Sequence, residues 1–193
     1  MIATDNSGSK VLEKNMAKLE FRELELTDKE AWLRFAKDWR ENNTSLFRIM
    51  EESDFEKVTD ETFVDYQAQL RREETTAEQA DWSTCTKYFL FVDGVIVGNI
   101  SCRWQIEKGI LLEWGGHIGY GVAPSFRGQH FAEEMVRFSL EKYRARGILR
   151  VMISANETNL ASRKTIERSG GVLENIIEID GNKICRYWID LNK

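Results

Sequence analysis

Residues 122–132 combine residue types that could bind an anion. Pro124 fixes a turn after a predicted strand, and a helical pattern over 133–146 follows it directly. The beginning of a helix offers backbone N–H groups without partners and the positive end of the helix dipole. Arg127 adds a permanent positive charge, and Gly128 lets the backbone approach a ligand closely. The stretch predicts a pyrophosphate-type site, although an ordinary strand-to-helix connection with a surface arginine has the same pattern.

The composition is that of a globular domain. The chain has 193 residues, of which 42% are hydrophobic and 31% charged, so one domain with a sizeable core is expected. Its formal charge of -5 does not favour nucleic acid as a partner. No apolar run approaches the roughly 20 residues of a membrane span, and the first residues lack a signal-peptide layout. The three cysteines, Cys85, Cys102 and Cys185, are odd in number and accompanied by two histidines. Neither a disulfide framework nor a metal site is predicted, and the expected location is cytoplasmic.

The first part of the chain predicts a strand and two helices. Residues 1–16 are polar and aperiodic, and we interpret them as a flexible leader or a segment added for expression, with a single domain over 17–193. A strand is predicted over 18–26 and helices over 28–41 and 60–74. The first helix has one buried face, made by Trp32, Phe35, Ala36 and Trp39. Thr27 and Glu30 have the spacing of a capping box before it.

The later part of the chain alternates hairpins and helices. Asp93-Gly94 predicts a two-residue turn between strands 88–92 and 95–100. A second hairpin, turning near 107–109, leads into a predicted strand over 110–122. This strand carries several glycines, which indicate a bulge or a ligand against the backbone: Gly115, Gly116, Gly119 and Gly121. A strand over 149–154, a helix over 159–169 and a hairpin with its turn at 180–182 complete the chain.

This order, β-α-α-β-β-β-α-β-α-β-β, resembles the GNAT superfamily of acyl-CoA-dependent N-acyltransferases over residues 18–191. The family's acyl-CoA loop has Arg or Gln, two residues, Gly, one residue, then Gly or Ala; here it is Arg127-Gly128-Gln129-His130-Phe131-Ala132. Asn159, at the beginning of the next predicted helix, matches a second motif. The resemblance implies an α/β fold with a mixed, mostly antiparallel sheet of about seven strands, splayed between the fourth and fifth. It is nearest to an uncharacterised bacterial branch and to the branch that acetylates ribosomal-protein N-termini.

The resemblance also implies how acetyl-CoA would be bound. Backbone groups of Tyr120, Gly121 and Val122 would pair with the pantetheine arm like an added strand. The amides of the loop would hold the pyrophosphate, and these belong to Arg127, Gly128, Gln129, His130, Phe131 and Ala132. Asn159 would hydrogen-bond the arm or its phosphate side. His130 stands where the family has glycine, so its Cβ would crowd the pyrophosphate.

The candidate catalytic residues follow from the same resemblance. Many members use a tyrosine seven residues after the motif Asn as the acid that protonates the leaving thiolate, but here that residue is Ile166. Ser162 is the remaining hydroxyl in a suitable place, and it also stands among the residues expected to bind the cofactor; the alternative is a helix-face serine bonded to the backbone. His117 is the first candidate base, because histidine exchanges protons near neutral pH. Strand alternation would place it on one face with Glu113, a weaker candidate like Glu157; ordered water is a further alternative.

These features predict an N-acetyltransferase that moves the acetyl group of acetyl-CoA to a primary amine of a small molecule or peptide. Two alternatives stay open: a CoA-binding sensor or interaction module without turnover, and an unrelated α/β domain that binds another phosphate ligand. Cys102 is not favoured as a nucleophile, because no base is spaced to activate it. An acidic cluster in residues 51–56 weakly favours a cationic acceptor, and exposed edge strands would allow a homodimer.

Overall fold

A computed structural model describes residues 18–42 and 59–192. The acidic cluster at 51–56 and the segment 1–16 lie outside the described residues. Within them, strands and helices follow in the order β1 (Leu19–Arg22), α1 (Lys29–Asn42), α2 (Phe63–Glu73), β2 (Cys85–Val92), β3 (Val95–Arg103), β4 (Ile118–Val122), α3 (Phe131–Ala145), β5 (Arg150–Asn156), α4 (Leu160–Arg168), β6 (Val172–Ile179) and β7 (Asn182–Asp190). The predicted order of elements is therefore confirmed.

The strands form two antiparallel sheets that separate between β4 and β5. One sheet has the order β1-β2-β3-β4 and the other β5-β7-β6. The backbone N–H of His117, just before β4, donates to the carbonyl of Met152 in β5 over 2.9 Å. β4 and β5 belong to different sheets and separate after this bond. This is the splayed arrangement that the resemblance implied.

Local turn chemistry fixes two of the three hairpins that the sequence predicts, those with turns at 93–94 and 180–182. The φ angles are 49° at Asp93 and 82° at Gly94, and 49° at Asp180 and 75° at Gly181. Two consecutive positive φ angles are the signature of the type I′ turn, whose twist matches that of the flanking strands. Both hairpins are confirmed.

Helices cover both faces of the first sheet. The predicted face of α1 is buried, together with Phe63, Tyr66 and Leu70 of α2. On the other side, Met135, Val136 and Tyr143 of α3 are fully buried. None of the helices in the described ranges is long and apolar enough to cross a membrane.

The predicted capping box at Thr27 is wrong. The chain enters α1 through a short 3₁₀ turn, Leu26–Asp28, and the Asp28 carboxylate accepts the N–H of Glu25 over 2.8 Å. Asp28 also accepts from Arg22, with Nη2 and Oδ1 2.8 Å apart. The cap lies earlier because Asp28, held by an arginine of β1, satisfies a free donor at the entry to the turn.

The predicted strand over 110–122 is also wrong in its first half. Residues Leu111–Gly115 form a π-helical turn, here called the π-turn, and β4 begins only at Ile118. Gly116 has a φ of 66°, and a Cβ on it would lie 2.8 Å from the Met152 carbonyl oxygen. Only glycine tolerates both conditions, and this redirects the chain into β4. Strand alternation therefore does not apply to Glu113 and His117.

Candidate active site

A cavity of about 420 Å³ opens where β4 and β5 separate. Its walls come from Ile118–Val122 of β4 and residues 154–156 of β5. The loop after β4 and the beginning of α4 close one side, while Trp39, Asn99 and Trp114 line it elsewhere. The cavity therefore reaches both motifs that the sequence analysis identified.

The loop after β4 presents backbone donors to this cavity. It begins with a 3₁₀ turn, Pro124–Phe126, and α3 begins at Phe131. Within the described chain, the amides of residues 128–132 have no backbone acceptor. Asp38 of α1 holds the turn, because its carboxylate accepts from Ser125 N over 3.1 Å and from Ser125 Oγ over 2.7 Å. These amides at a helix N-terminus can bind an anion.

The Arg127 side chain packs between α1 and β4. Its Nε donates to the carbonyl oxygen of Val122 over 3.2 Å, and its guanidinium carbon lies 5.2 Å from the centre of the Trp39 ring. Arg127 and Gly128 line the cavity, whereas Gln129 is not among the lining residues. The cationic residues Lys164 and Arg168 of α4 also line it.

His130 adopts the backbone conformation that usually requires glycine. Its φ is 64°, in the left-handed region, which glycine enters without steric cost. The imidazole Nδ1 lies 3.1 Å from Glu133 Oε1, and 67% of the side chain is exposed. Glu133 also accepts from Arg168 Nη1 over 2.8 Å. These two contacts, with Arg168 first, lower the pKa of the Glu133 carboxyl.

Two hydroxyl groups meet in the cavity wall. The Tyr120 hydroxyl and Ser162 Oγ are 2.9 Å apart, although β4 and α4 are distant in sequence. Asn159 caps α4, and its Oδ1 accepts the Ser162 N–H over 3.1 Å. Burial raises the pKa of Tyr120, although hydrogen bonds with Ser162 and Thr165 act in the opposite direction. The phenol therefore keeps its proton at neutral pH.

The structure does not place His117 where a base is needed. Its side chain is 4% exposed and is not among the residues that line the cavity. Nδ1 accepts the Met152 N–H over 2.9 Å, so this nitrogen carries no proton. Burial, with a smaller contribution from Arg103, lowers the His117 pKa to about 4. His117 is therefore a buried, neutral histidine outside the described cavity wall, a position that does not favour the predicted role as base.

The other acid–base candidates also lie away from the cavity. Glu113 is exposed on the π-turn, and Glu157 lies 3.9 Å from the Lys183 ammonium. Neither lines the cavity in the described part of the chain. Cys102 is fully buried, and burial raises its pKa to about 12. Ile166, at the position of the family's tyrosine, is a core residue with no exposed surface.

Sequence reasoning missed several residues of the cavity wall. Thr165 follows Ser162 by three residues on α4, so the helical period could have identified it. Trp39 was interpreted as a core residue only, and its contact with Gly121 depends on the packing of α1 against β4: a Cβ on Gly121 would lie 3.0 Å from the Trp39 ring. No local signal indicated this contact.

The chain matches the sequence profile described as "Acetyltransferase (GNAT) domain" over residues 18–172. Its fold is similar to that of a ribosomal-protein-S5-alanine acetyltransferase from Vibrio fischeri, with 15% identity, coverage of 93% of this chain and 98% of that one, and a TM-score of 0.68. RimJ of Mycobacterium smegmatis, in complex with CoA-disulfide, is 19% identical, with 89% and 81% of the two chains covered and a TM-score of 0.64.

A third similar structure is the microcin C7 self-immunity acetyltransferase MccE, in complex with acetyl-CoA and AMP. It is 16% identical, with 89% and 92% of the two chains covered and a TM-score of 0.66. A comparison with curated proteins finds no match. The profile match spans most of the chain, and the chain belongs to the GNAT acetyltransferase family.

Proposed function

We propose that this acetyltransferase moves the acetyl group of acetyl-CoA to a primary amine of a small molecule or peptide, by direct attack of the amine on the thioester. The observation that carries the proposal is the pair formed by Tyr120 and Ser162. Their hydroxyls are 2.9 Å apart in a cavity that also contains the donor-rich loop. A proton donor and an anion-binding loop in one cavity are two parts that this reaction needs.

The chain offers a consistent set of groups for the donor substrate. The amides of residues 128–132 would donate to the pyrophosphate, and the positive charge of Arg127 would support them. A Cβ on Gly128 would have no atom within 4 Å, so the backbone there is open to a ligand. The free edge of β4 at Tyr120, Gly121 and Val122 would pair with the pantetheine arm. The side-chain Oδ1 of Asn159 caps α4, and the Nδ2 of the same amide would donate to the pantetheine arm.

Proton transfer is assigned to hydroxyls and water. Ser162 would donate its hydroxyl proton to the leaving sulfur and recover one from Tyr120 across their 2.9 Å contact. Tyr120 would in turn recover the proton that the amine loses to water, so no charge is left on the pair. His117 and Glu113 lie outside the described wall of the cavity. Ordered water, an alternative left open by the sequence, is therefore the proposed route for the ammonium proton. The three cysteines are free and buried, which supports a reducing compartment such as the cytoplasm.

The test is a thiol-release assay with acetyl-CoA and a panel of amines: polyamines, amino acids, aminoglycosides and N-terminal peptides. Release that depends on both the protein and an amine is expected. In parallel, a thermal-shift measurement reports whether acetyl-CoA binds. Binding without release for any amine would favour the sensor over the enzyme, and a shift with a nucleotide but not with CoA would contradict both.

A further inference from the structure

The π-turn is attached to both sheets through its carbonyl groups. Arg103 of β3 is buried, and its Nη1 donates to Gly115 O over 3.1 Å and to Gly116 O over 3.2 Å. Arg186 of β7 donates from Nη2 to Leu112 O over 3.2 Å. Ser154 Oγ of β5 donates to the carbonyl of Trp114. Because three strands hold it, this turn is a fixed part of the cavity wall.

Internal hydrogen bonds also engage two polar side chains on this side of the cavity. Ser154 is used by the Trp114 carbonyl, and Asn156 Oδ1 accepts from Thr158 N over 3.0 Å and from Thr158 Oγ1 over 2.7 Å. Ile184 is the cross-strand partner of Asn156 and is buried. Cross-strand partners share a face of the sheet, so Ile184 lies beside Asn156 in this wall, where Trp114 and Ile184 supply apolar surface.

The charges of the cavity lie on its other side. Arg127, Lys164 and Arg168 belong to the loop after β4 and to α4. Among the described lining residues, Glu133 is the single carboxylate, and it is bonded to Arg168 and His130. Glu113 of the π-turn is exposed and does not line the cavity. The described residues that line the cavity at the π-turn therefore include no carboxylate for a second ammonium group, whereas Trp114 and Ile184 offer apolar surface to a hydrocarbon group.

We infer that the π-turn wall is the acceptor subsite and that its substrates are amines whose adjoining group is apolar, packed against the indole of Trp114 and against Ile184. This inference rests on the proposed acetyl transfer. Trp114 thereby determines acceptor specificity, and Arg103 is a positioning residue that holds the turn. Burial of each additional methylene is worth about 0.8 kcal/mol, or roughly a fourfold change in a rate or binding constant.

The experiment measures kcat/KM for four acceptors with saturating acetyl-CoA: phenethylamine, a peptide beginning with leucine, the same peptide beginning with aspartate, and spermidine. We expect at least one apolar acceptor to exceed both polar ones by roughly tenfold or more. The phenethylamine and peptide arms distinguish a small amine from a peptide. Spermidine or the aspartate peptide as the best acceptor would overturn the inference and leave acetyl transfer standing.

Trp114→Ala tests the residue itself. It should lower kcat/KM for the apolar acceptor by about 10- to 100-fold, with the KM for acetyl-CoA unchanged and little effect on spermidine. Leu112→Ala is the matched control, because Leu112 belongs to the same turn but is 46% exposed and outside the cavity wall. An equal loss for polar and apolar acceptors, or a raised KM for acetyl-CoA, would overturn the inference.

If the alanine variant does not fold, Trp114→Phe is the second test, because it keeps an apolar ring. Its preference for the apolar acceptor should fall by less than tenfold. Unchanged preference in this variant together with a shift in the KM for acetyl-CoA would contradict the assignment. Silence with every amine, while acetyl-CoA still raises the melting temperature, would overturn the proposed function itself. That outcome differs from active enzyme with the wrong acceptor preference, so the two failures are distinguishable.

Discussion

The two connections that flank β4 use their backbone polar groups in opposite ways. Before β4, the π-turn has carbonyls that accept from Arg103, Ser154 and Arg186. After β4, the amides of residues 128–132 have no backbone acceptor within the described chain. Each connection contains a glycine with positive φ, Gly116 in the first and Gly128 in the second.

The difference separates a fixed wall from a binding surface. A turn whose acceptors are satisfied by side chains of the protein has little left to offer a ligand, but its position is well defined. A loop with unused donors can bind an anion without breaking any internal bond. Changes before β4 should therefore act on stability and acceptor choice, and changes after β4 should act on donor binding.

The largest expected effect is on kcat, and it concerns Tyr120 of β4, between the two connections, and its partner Ser162 of α4. Ser162→Ala should lower kcat by about 10²- to 10⁴-fold, the usual range for removal of a general acid. Tyr120→Phe should reproduce part of this loss, because Ser162 then loses its hydroxyl partner at 2.9 Å. Steady-state kinetics with saturating acetyl-CoA would measure both, and acetyl-CoA affinity should change little.

Tyr187→Phe is the control for these variants. It removes a hydroxyl that bonds Arg163 and Glu167 rather than the cavity. Its kcat should stay close to that of the unmodified protein. A full rate in both Ser162→Ala and Tyr120→Phe would refute the assignment of the acid to this pair.

The second-largest effect is on the free energy of unfolding, in a comparison of Gly116→Ala with Gly128→Ala. A Cβ on Gly116 meets the Met152 carbonyl oxygen at 2.8 Å, whereas a Cβ on Gly128 has no atom within 4 Å. Gly116→Ala should lower the free energy of unfolding by about 3 kcal/mol, and Gly128→Ala by about 1 kcal/mol from the positive φ alone. Urea unfolding measures these values. Acetyl-CoA affinity should fall in Gly128→Ala but not in Gly116→Ala, and the reverse pattern would contradict the comparison.

The third effect is a pH dependence of stability that comes from His117. Its pKa is about 4 in the folded protein against 6.5 ordinarily, so unfolding takes up a proton between these values. The stabilisation is fully present above pH 6.5 and is lost as the pH falls toward 4, with a slope of at most about 1.4 kcal/mol per pH unit. Urea unfolding from pH 4.5 to 7.5 should show a weaker dependence in His117→Asn. Equal slopes in the two proteins would contradict the burial of a neutral His117.

The smallest effect concerns His130. A residue other than glycine at positive φ costs about 1 kcal/mol, so His130→Gly should change the free energy of unfolding by no more than that. Because the imidazole is 67% exposed and lies near Glu133, acetyl-CoA affinity should change by less than about twofold. Calorimetric titration measures this affinity. A tenfold gain would show instead that the histidine crowds the pyrophosphate.

Elements fixed by local chemistry were predictable from the sequence. The Asp93-Gly94 hairpin needs only two positive φ angles, and the buried face of α1 follows from helical spacing. The loop at 127–132 and the motif residue Asn159 were found because both belong to short motifs. These features depend on neighbours in sequence.

Features set by distant contacts were not predictable. Residues 110–116 have a strand-like composition, but the Met152 backbone and Arg103 hold them as a turn. His117 was a candidate base because of its side-chain chemistry, and strand alternation, which does not hold there, placed it on one face with Glu113. The pairing of Tyr120 with Ser162 joins residues 42 positions apart, so no local pattern reveals it.

Helix α3 joins the two connections directly. Phe131 begins it at the loop, and the Tyr143 hydroxyl donates to the carbonyl of His117 over 2.7 Å, next to the π-turn. The rise between these residues is about 18 Å, and each residue turns the helix by about 100°. One inserted or deleted residue within α3 would move the Tyr143 hydroxyl to another side of the helix. Length variation is therefore expected at hairpin tips such as Asp180-Gly181 rather than in α3. The length of α3 sets the spacing between the loop after β4 and the π-turn before it.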